Sequence, residues 1–367
     1  MSVVKILCVI GTRPEAIKMA PVILALKKER WAQVHVLATA QHRQLLDQTL
    51  GFFGITPDTD LDIMRPSQTL STLTAHLLLD LDKVLLKEKP DVVLVQGDTT
   101  SVLASALACF YHRIPVGHVE AGLRTGDIQQ PFPEEANRVI TGKLVRWHFV
   151  PTEGVRQNLL KEGVINANIF VTGNTVIDAL LTTAAMGVEL GLDIDPSKRL
   201  VLVTSHRREN FGEPFQNICR ALRTLAENNP QVQFLFPVHP NPSIKDVAQM
   251  CLAGLPNFTL CAPLGYPVFV AAMKAAYLIL TDSGGVQEEA PALGKPVLVL
   301  REETERPEAV AQGGARLVGT DCARIVEEAQ RLLDDSSAYR LMAQGVSPYG
   351  DGQAAGRIVQ ALREHFC

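Results

Sequence analysis

Residues 114–126 read IPVGHVEAGLRTG. The segment begins with Pro115, Val116 and Val119, a composition typical of a strand buried in a parallel sheet. It then places Glu120 at the point where the strand ends, followed by a turn of small residues and Arg124. Two interpretations of Glu120 compete: a solvated loop residue, or a carboxylate that points into a crevice and takes part in chemistry.

The pattern of this segment, a short apolar run followed by a turn and a helical stretch, recurs along the chain. The predicted strands are 5–10, 33–39, 91–96, 115–119, 148–150, 169–172, 200–204, 233–236, 259–261, 277–281 and 297–300. The helical stretches include 15–30, 73–88, 101–111, 215–228, 286–293 and 322–334. Continuous apolar strands that each precede a helix predict an α/β fold with parallel sheets covered on both faces.

The strands fall into two sets, which predicts two doubly wound Rossmann-like domains. We expect an N-terminal domain over residues 1–174, completed by a C-terminal helix over 352–367, and a second domain over 175–351. Residues 186–199 have the weakest periodicity and are the predicted linker. Because ligands of such sheets bind beyond the carboxyl ends of the strands, we expect the two domains to face each other across a cleft.

Composition excludes several classes of function. The 367 residues carry a net charge of −4, so no general nucleic-acid or membrane surface is indicated. No signal peptide or membrane span is evident, and the seven scattered cysteines suggest reduced thiols, so we expect a cytoplasmic protein. The chain lacks a GxGxxG fingerprint, a P-loop and any spacing of histidines typical of a metal site. We therefore expect neither a nicotinamide cofactor nor a metal ion.

The strand ends are unusually rich in acids, arginine and histidine next to glycine. Seven strands are followed by such sequences: GTRPEAIK, GDTTS, EAGLRTG, SHRREN, HPNP, DSGGVQEE and REETERPE. Loops are usually polar, so each sequence alone proves little, but their succession points to a functional edge.

Several of these ends are suited to binding an anion. Ser283 and Gly284 precede a helix whose free N–H groups and partial positive charge suit a diphosphate, and Glu289 could accept a ribose hydroxyl. An ordinary capped helix explains the same stretch equally well. Arg13 and Lys18 lie near another helix N-terminus, where two cations are costly unless an anion binds. Lys18 on a solvated helix face remains an alternative.

Two histidines and three acids complete the candidates. His206 stands in a charged loop that is either solvated or functional, and His239 is a weaker candidate that a buried structural role would also explain. Asp98, Glu120 and Glu134 are the carboxylates of the first half, although Asp98 alone could be a helix cap. Cations for a diphosphate and carboxylates for proton transfer predict an enzyme that moves a proton and handles a nucleotide diphosphate.

Taken together, the motifs resemble the non-hydrolysing UDP-N-acetylglucosamine 2-epimerases of bacteria. The matching stretches run nearly the full length in unbroken order: GTRPEAIKMAP, TAQHRQLLDQ, QGDTTS, GHVEAGLRTGD, PFPEEANR, TGNTVIDAL, HRRENFGEP, TDSGGVQEEAPALGKPVLVLREETERPE and PYGDGQA. Each motif is modest evidence, whereas the set is highly specific.

This resemblance implies two Rossmann-like domains of the GT-B type, a homodimer, and interconversion of UDP-GlcNAc and UDP-ManNAc without NAD or metal. The implied route eliminates UDP to give 2-acetamidoglucal and then adds UDP back, and the product would supply surface polysaccharide synthesis. Matched motifs imply acid–base or catalytic roles for Asp98, Glu120, Glu134 and His206. They imply contacts to UDP or sugar for Arg13, Lys18, His239, Ser283, Gly284, Glu289 and Arg306.

Some relatives are activated by a second substrate molecule, and the AQHRQ match makes Gln41 and Gln44 candidate allosteric contacts. Gln96 and Pro240 depart from the HGDTT and HLNP of many relatives, and we expect both to lie behind the residues that contact the substrate. The alternatives are a hydrolysing epimerase that releases ManNAc and UDP, a GT-B glycosyltransferase and a non-catalytic UDP-sugar sensor.

Overall fold

The computed structural model describes residues 3–39, 43–65, 67–344 and 347–367, apart from the side chains of residues 43–45 and 208. The chain forms two compact units. Unit 1 comprises Met1–Ala179 and Tyr349–Cys367, and unit 2 comprises Leu180–Pro348.

Unit 1 is built on a seven-stranded sheet in the order β3-β2-β1-β4-β5-β6-β7, and its pairings are all parallel. The strands are β1 (Val4–Ile10), β2 (Ala32–Ala38), β3 (Thr59–Asp60), β4 (Val92–Gln96), β5 (Val116–Val119), β6 (Trp147–Val150) and β7 (Ile169–Val171). Its helices are α1 (Arg13–Leu26), α2 (Arg43–Phe52), α3 (Leu70–Glu88), α4 (Thr100–Tyr111), α5 (Glu134–Leu144), α6 (Glu153–Lys161) and the beginning of α7 (Thr175–Ala185).

Unit 2 repeats the plan with a six-stranded parallel sheet in the order β10-β9-β8-β11-β12-β13. The strands are β8 (Arg199–Thr204), β9 (Val232–Pro237), β10 (Phe258–Cys261), β11 (Leu278–Thr281), β12 (Val297–Val299) and β13 (Ala315–Leu317). The helices are α8 (Glu213–Asn228), α9 (Pro242–Leu252), α10 (Tyr266–Ala275), α11 (Gly284–Ala292), α12 (Pro307–Ala311), α13 (Cys322–Asp334) and α14 (Ser336–Ala343). The chain then returns to unit 1 as α15 (Ala354–Phe366).

The prediction of two doubly wound parallel-sheet domains is confirmed. In both sheets the strand order reverses beside the first strand, between β1 and β4 in unit 1 and between β8 and β11 in unit 2. Such a reversal leaves a crevice at the carboxyl ends of the two strands, which is where this class of sheet binds ligands. The candidate residues Asp98 and Ser283 follow β4 and β11 and therefore lie at these two edges.

The predicted linker does not lie between the two units. The predicted linker, residues 186–199, belongs to unit 2, because the passage from unit 1 to unit 2 falls within α7, between Ala179 and Leu180. Weak periodicity in 186–199 therefore marks a loop that leads into β8 and not a connection between units.

Both cores follow from the apolar strands. In unit 1, Leu77 and Leu81 of α3 pack in one buried cluster with Val93 and Val95 of β4. In unit 2, the rings of Phe234 in β9 and Phe258 in β10 stack with centroids 5.4 Å apart. Burial on both sheet faces stabilises the strands and leaves only their carboxyl ends available to a ligand.

Candidate active site

The Glu120 carboxylate lies directly after β5 and is held by side chains from three other elements. Lys18 Nζ lies 2.5 Å from Oε1, and the Asn174 amide donates to the same oxygen at 2.9 Å. The Gln96 amide donates to Oε2. The Glu120 side chain is only 6% exposed, so these donors replace water around a nearly buried carboxylate.

Gln96 lies in direct contact with the candidate acid Glu120. It is the last residue of β4, and β4 pairs with β5 so that Gln96 stands opposite Val119. This strand register brings its amide to Glu120. A glutamine offers the carboxylate a neutral donor at this position.

The N-terminus of α1 supplies Lys18 and a second buried acid. Thr12 caps the helix by accepting from the Glu15 N–H at 3.5 Å, and Pro14 occupies the first turn. Glu15 is 3% exposed, and its Oε2 accepts from the Gly11 N–H at 2.5 Å. Burial raises the pKa of Glu15 to about 7, and hydrogen bonds that include the Gly11 N–H oppose the rise. Arg13 lies at the first position of α1 and is exposed.

Asp98 follows β4 and forms a fork with Arg138 of α5, at 2.7 Å from Nη2 and 2.9 Å from Nε. The cap of α4 is Thr99, whose hydroxyl accepts from the Val102 N–H, so the interpretation of Asp98 as a helix cap is wrong. Arg138 also binds the buried Glu135 at 3.0 Å. The fork therefore fixes the Asp98 carboxylate, while the Asp98 side chain remains 28% exposed.

Glu134 and Glu135 are adjacent in the sequence but differ in environment. Glu135 is buried and accepts from the Thr125 N–H at 3.0 Å as well as from Arg138, which gives it a structural role. Glu134 is half-buried at the first position of α5, and its carboxylate has no hydrogen bond or ion pair within the described part of the chain. Of the two acids, Glu134 is thus the one available to a substrate.

His118 is a further residue of this edge that the sequence did not single out. Its Nε2 donates to the Gly97 carbonyl oxygen at 2.7 Å, which fixes the turn that carries Asp98. Burial lowers the pKa of His118 to about 4, so the ring is neutral at pH 7. His118 lies in β5 two residues before Glu120, and this closeness to a candidate acid is the signal that could have found it.

In unit 2, the Asp282 carboxylate organises the loop that follows β8. Its oxygens accept from Ser205 Oγ at 2.8 Å, from the Arg207 N–H at 3.0 Å and from the Asn210 amide at 3.0 Å. The His206 N–H donates to it at 2.9 Å. Asp282 is fully buried and does not cap α11; Ser283 is the N-cap residue, without a side-chain cap hydrogen bond.

Two guanidinium groups flank the N-terminus of α11. A methyl group placed on Gly284 would lie 3.4 Å from Arg207 Nη2 and 4.0 Å from the Arg306 guanidinium carbon. Arg306 is paired with the buried Glu288, whereas Arg207 Nε is buried without a hydrogen-bond partner among the described residues. Two cations at the positive end of a helix oppose its dipole, and a bound anion would relieve this cost. Sequence reasoning had not selected Arg207, although it is adjacent to His206.

The remaining candidates of unit 2 lie as follows. The rings of His206 and His239 stack with centroids 6.3 Å apart, and His239 is exposed, which disfavours a buried structural role for it. Glu289 is 9% exposed, and a methyl group on Gly285 would lie 3.7 Å from its Oε1. Burial, and then the Glu289 carboxylate, raise the pKa of Tyr266 well above its ordinary value.

The allosteric candidate Gln41 lies outside the described residues, as does the side chain of Gln44, whose backbone belongs to α2. Within the described ranges, no group of three or more histidine, cysteine, aspartate or glutamate side chains could hold a metal ion. None of the helices in the described part of the chain is long and apolar enough to cross a membrane.

The structure thus brings Lys18 to Glu120 in unit 1, and His206 to His239 and Arg306 to Gly284 in unit 2. Unit 1 carries carboxylates whose positions are fixed by hydrogen bonds. Unit 2 carries the features of an anion site. This division agrees with proton transfer by the first set of groups and phosphate binding by the second.

Comparison with known proteins shows similarity to one family along nearly the whole chain. A family model described as UDP-N-acetylglucosamine 2-epimerase matches residues 24–363. The protein of that name from Escherichia coli strain K12 is 54% identical over 371 residues, which span 98% of this chain and 99% of the relative.

Solved structures agree with this result. The UDP-GlcNAc 2-epimerase from Neisseria meningitidis, bound to UDP-GlcNAc, has a TM-score of 0.89 and 47% identity over 98% of this chain and 100% of that chain. The Methanocaldococcus jannaschii enzyme, in complex with UDP-GlcNAc and UDP, has a TM-score of 0.81 and 37% identity over 98% and 99% of the two chains. These neighbours confirm the predicted fold of the GT-B type.

Proposed function

We propose, from the premise that this chain belongs to the UDP-N-acetylglucosamine 2-epimerase family, that it interconverts UDP-GlcNAc and UDP-ManNAc without releasing free sugar. The observation that carries the proposal is the Glu120 carboxylate, nearly buried at the end of β5 and held by Lys18, Gln96 and Asn174. A carboxylate so fixed is suited to taking a proton from a bound substrate.

The chemistry of C2 dictates the route. No carbonyl flanks this carbon, so a carbanion there would be too unstable to form directly. In the proposed elimination, a carboxylate takes the C2 proton as the C1–oxygen bond to UDP breaks, which gives 2-acetamidoglucal and UDP. UDP then adds back to C1 while a proton is delivered to the opposite face of C2. Removal and delivery on two faces require more than one acid–base group, and Asp98, Glu120 and Glu134 are the candidates.

UDP departs with the electron pair of the C1–oxygen bond, so it gains one negative charge over the sugar ester and must be bound and stabilised. The N-terminus of α11, with Ser283, Gly284, Arg207 and Arg306, supplies N–H donors and cations of the kind that stabilise this charge. We assign to His206 and His239 contacts with the diphosphate or assistance to its departure. In the same proposal Glu289 accepts a ribose hydroxyl, and Arg13 and Lys18 add positive charge.

Elimination and re-addition transfer no hydride, so the proposed reaction needs no NAD, and we propose that it needs no metal ion. We further propose a homodimer in the cytoplasm that supplies ManNAc for surface polysaccharide synthesis. These statements extend the family assignment, and each has its own test: size-exclusion chromatography with light scattering, cell fractionation, and loss of the polysaccharide on deletion.

The reaction is tested by incubating the pure protein with UDP-GlcNAc in D₂O without NAD and recording proton NMR spectra. We expect UDP-ManNAc with deuterium at C2. Free ManNAc together with UDP would instead assign the chain to the hydrolysing epimerases. Bound but unchanged UDP-GlcNAc would favour a transferase or a sensor.

Three variants then test the acids. We expect Asp98→Asn, Glu120→Gln and Glu134→Gln each to retain UDP binding and to lose at least about 10²-fold in turnover, the contribution of one acid–base group. The matched control is Glu153→Gln, an exposed acid of α6 in the same unit. Near-normal turnover in any of the three would remove that residue from the mechanism.

A further inference from the structure

Asn174 is buried beside Glu120, and three of its hydrogen bonds fix its orientation. Its Nδ2 donates to Glu120 Oε1 at 2.9 Å, and its Oδ1 accepts from the Val176 N–H at 3.1 Å. Its own backbone N–H donates to the Tyr349 carbonyl oxygen at 2.6 Å. Because the Val176 N–H requires an acceptor, the amide nitrogen must face the carboxylate.

The Tyr349 contact lies where the chain leaves unit 1 and returns to it. A methyl group on Gly173 would lie 3.3 Å from both Gly350 Cα and the Tyr349 carbonyl oxygen, so the outgoing and returning segments touch backbone to backbone. Next along the chain, Asp178 accepts from the N–H groups of the first turn of α15, at 3.2 and 2.9 Å. Residues 173–178 and 349–355 therefore form one hydrogen-bonded junction inside unit 1, which we call the crossover junction.

We propose that Asn174 is a positioning residue that orients the Glu120 carboxylate and ties that orientation to the crossover junction. This inference rests on the proposed function, since it assigns Glu120 a proton to move. Its consequence is that the geometry of the base depends on the backbone segment that begins at Tyr349. A displacement of that segment would then move the Asn174 amide and alter the donors around Glu120.

The substitution Asn174→Asp tests this role directly. Aspartate has the same shape and keeps an acceptor for the Val176 N–H, but it replaces the donor that faces Glu120 with a second carboxylate. Two like charges at hydrogen-bond distance cannot both be ionised without cost. Glu120 should then hold its proton to a higher pH, and the acidic limb of the rate profile should move with it.

Other titratable or charged groups at this edge could also shape that profile. They come from α1, from the end of β4, from β5 and from α5: Lys18 and Glu15, Asp98, His118, and Glu134, Glu135 and Arg138. All of them remain in the variant, so their titrations appear in wild type and variant alike. The difference between the two profiles therefore reports the Asn174 contact.

The experiment compares kcat against pH for wild type, Asn174→Asp and the matched control Asn229→Asp. Asn229 is an equally buried amide of unit 2, outside the crossover junction, and its Nδ2 donates to the Leu225 carbonyl oxygen and to Gln330 Oε1. We expect Asn174→Asp to raise the midpoint of the acidic limb by at least about 1 pH unit. We expect the profile of Asn229→Asp to superimpose on that of wild type. An unmoved limb in Asn174→Asp, or an equal shift in Asn229→Asp, would overturn the proposal.

Two further measurements test the contact between Asn174 and Glu120. If Asn174→Asp does not fold, Asn174→Ala removes the donor without adding charge, and we expect kcat to fall about 10- to 10²-fold with KM little changed; an unchanged kcat would refute the role. The ¹³C NMR titration of the Glu120 carboxyl in wild type and variant needs no turnover. An inactive wild type with a shifted Glu120 titration would refute the proposed function alone, and an active wild type with an unshifted titration would refute this inference alone.

Discussion

Replacing Asp282 should collapse the loop that follows β8. The fully buried carboxylate accepts hydrogen bonds from four residues of that loop: Ser205 Oγ, the N–H groups of His206 and Arg207, and the Asn210 amide. Asp282→Ala removes the shared acceptor and leaves these donors to find water or remain unpaired. The loop would then no longer present His206 and Arg207 in a fixed arrangement.

The loss in the free energy of unfolding caused by Asp282→Ala can be bounded from these hydrogen bonds. Hydrogen bonds to a charged group contribute about 1.5–3 kcal/mol each, so four would sum to about 6–12 kcal/mol if they were independent. They are not, because they share one carboxylate and because part of the loop reaches solvent: the His206 side chain is 44% exposed. Relaxation of the loop to water brings the expected loss to about 3–5 kcal/mol in the free energy of unfolding. Asp282→Asn keeps the shape and one acceptor oxygen and should lose about half as much.

Guanidinium denaturation followed by circular dichroism measures the loss, and titration calorimetry with UDP measures the effect on binding. Asp321→Ala is the control, because Asp321 also accepts from a backbone N–H in unit 2, at 2.9 Å from Arg324 N, but is exposed as the N-cap of α13. Loss of such a cap costs about 1 kcal/mol. If Asp282→Ala costs no more than this control, or binds UDP like wild type, the organising role assigned to Asp282 is wrong.

Further outcomes follow from unit 1. Gly11→Ala should lower the free energy of unfolding by about 1–3 kcal/mol, because the added methyl would lie 2.8 Å from a buried hydroxyl oxygen. Gly51→Ala, in open space on α2, should be neutral or stabilising when both are compared by thermal unfolding. Because burial raises the pKa of Glu15 from 4.5 to about 7, its contribution to stability is complete below pH 4.5 and is lost as pH rises to 7. Glu15→Gln should remove a decline of about 3 kcal/mol across this window in pH-dependent denaturation, and an unchanged slope would contradict the shift. Arg138→Lys replaces a fork with a point charge beside Asp98 and should lower kcat about 10-fold while UDP affinity, measured by calorimetry, stays the same.

The sheets could be predicted because strands buried on both faces are continuous apolar runs. Such a run can be identified in the sequence without knowing which strand pairs with it. The predicted strands 91–96 and 277–281 correspond to Val92–Gln96 and Leu278–Thr281 in the structure. The strands that the sequence did not predict, Thr59–Asp60 and Ala315–Leu317, have two and three residues at the sheet edges. Runs this short carry no periodicity, and only pairing with a neighbour defines them.

The candidate residues could be found at the strand ends, but their partners could not. Gln96 meets Glu120 only because β4 pairs with β5 in one register. Asn174 reaches the same carboxylate because residues 173–178 pair with a segment close to the C-terminus. Contacts of this kind depend on the assembled topology and leave no local pattern in a single sequence. The role of Asp282 likewise depends on tertiary contacts, which join it to the loop that follows β8.

The backbone conformation at Glu120 disfavours the carboxylate that ends this strand. Its φ of 61° lies in the left-handed region, which glycine and asparagine adopt readily. Most other residues are strained there by about 1–3 kcal/mol. Gly122, with φ 84°, completes the turn where an added methyl would lie 2.9 Å from Val155 and Leu159 side-chain atoms. The turn itself therefore favours a glycine at position 120. A glutamate persists there because its hydrogen bonds to Lys18 and to the amides around it offset the strain. The same bonds fix the position of the carboxylate, as the proposed proton transfer requires.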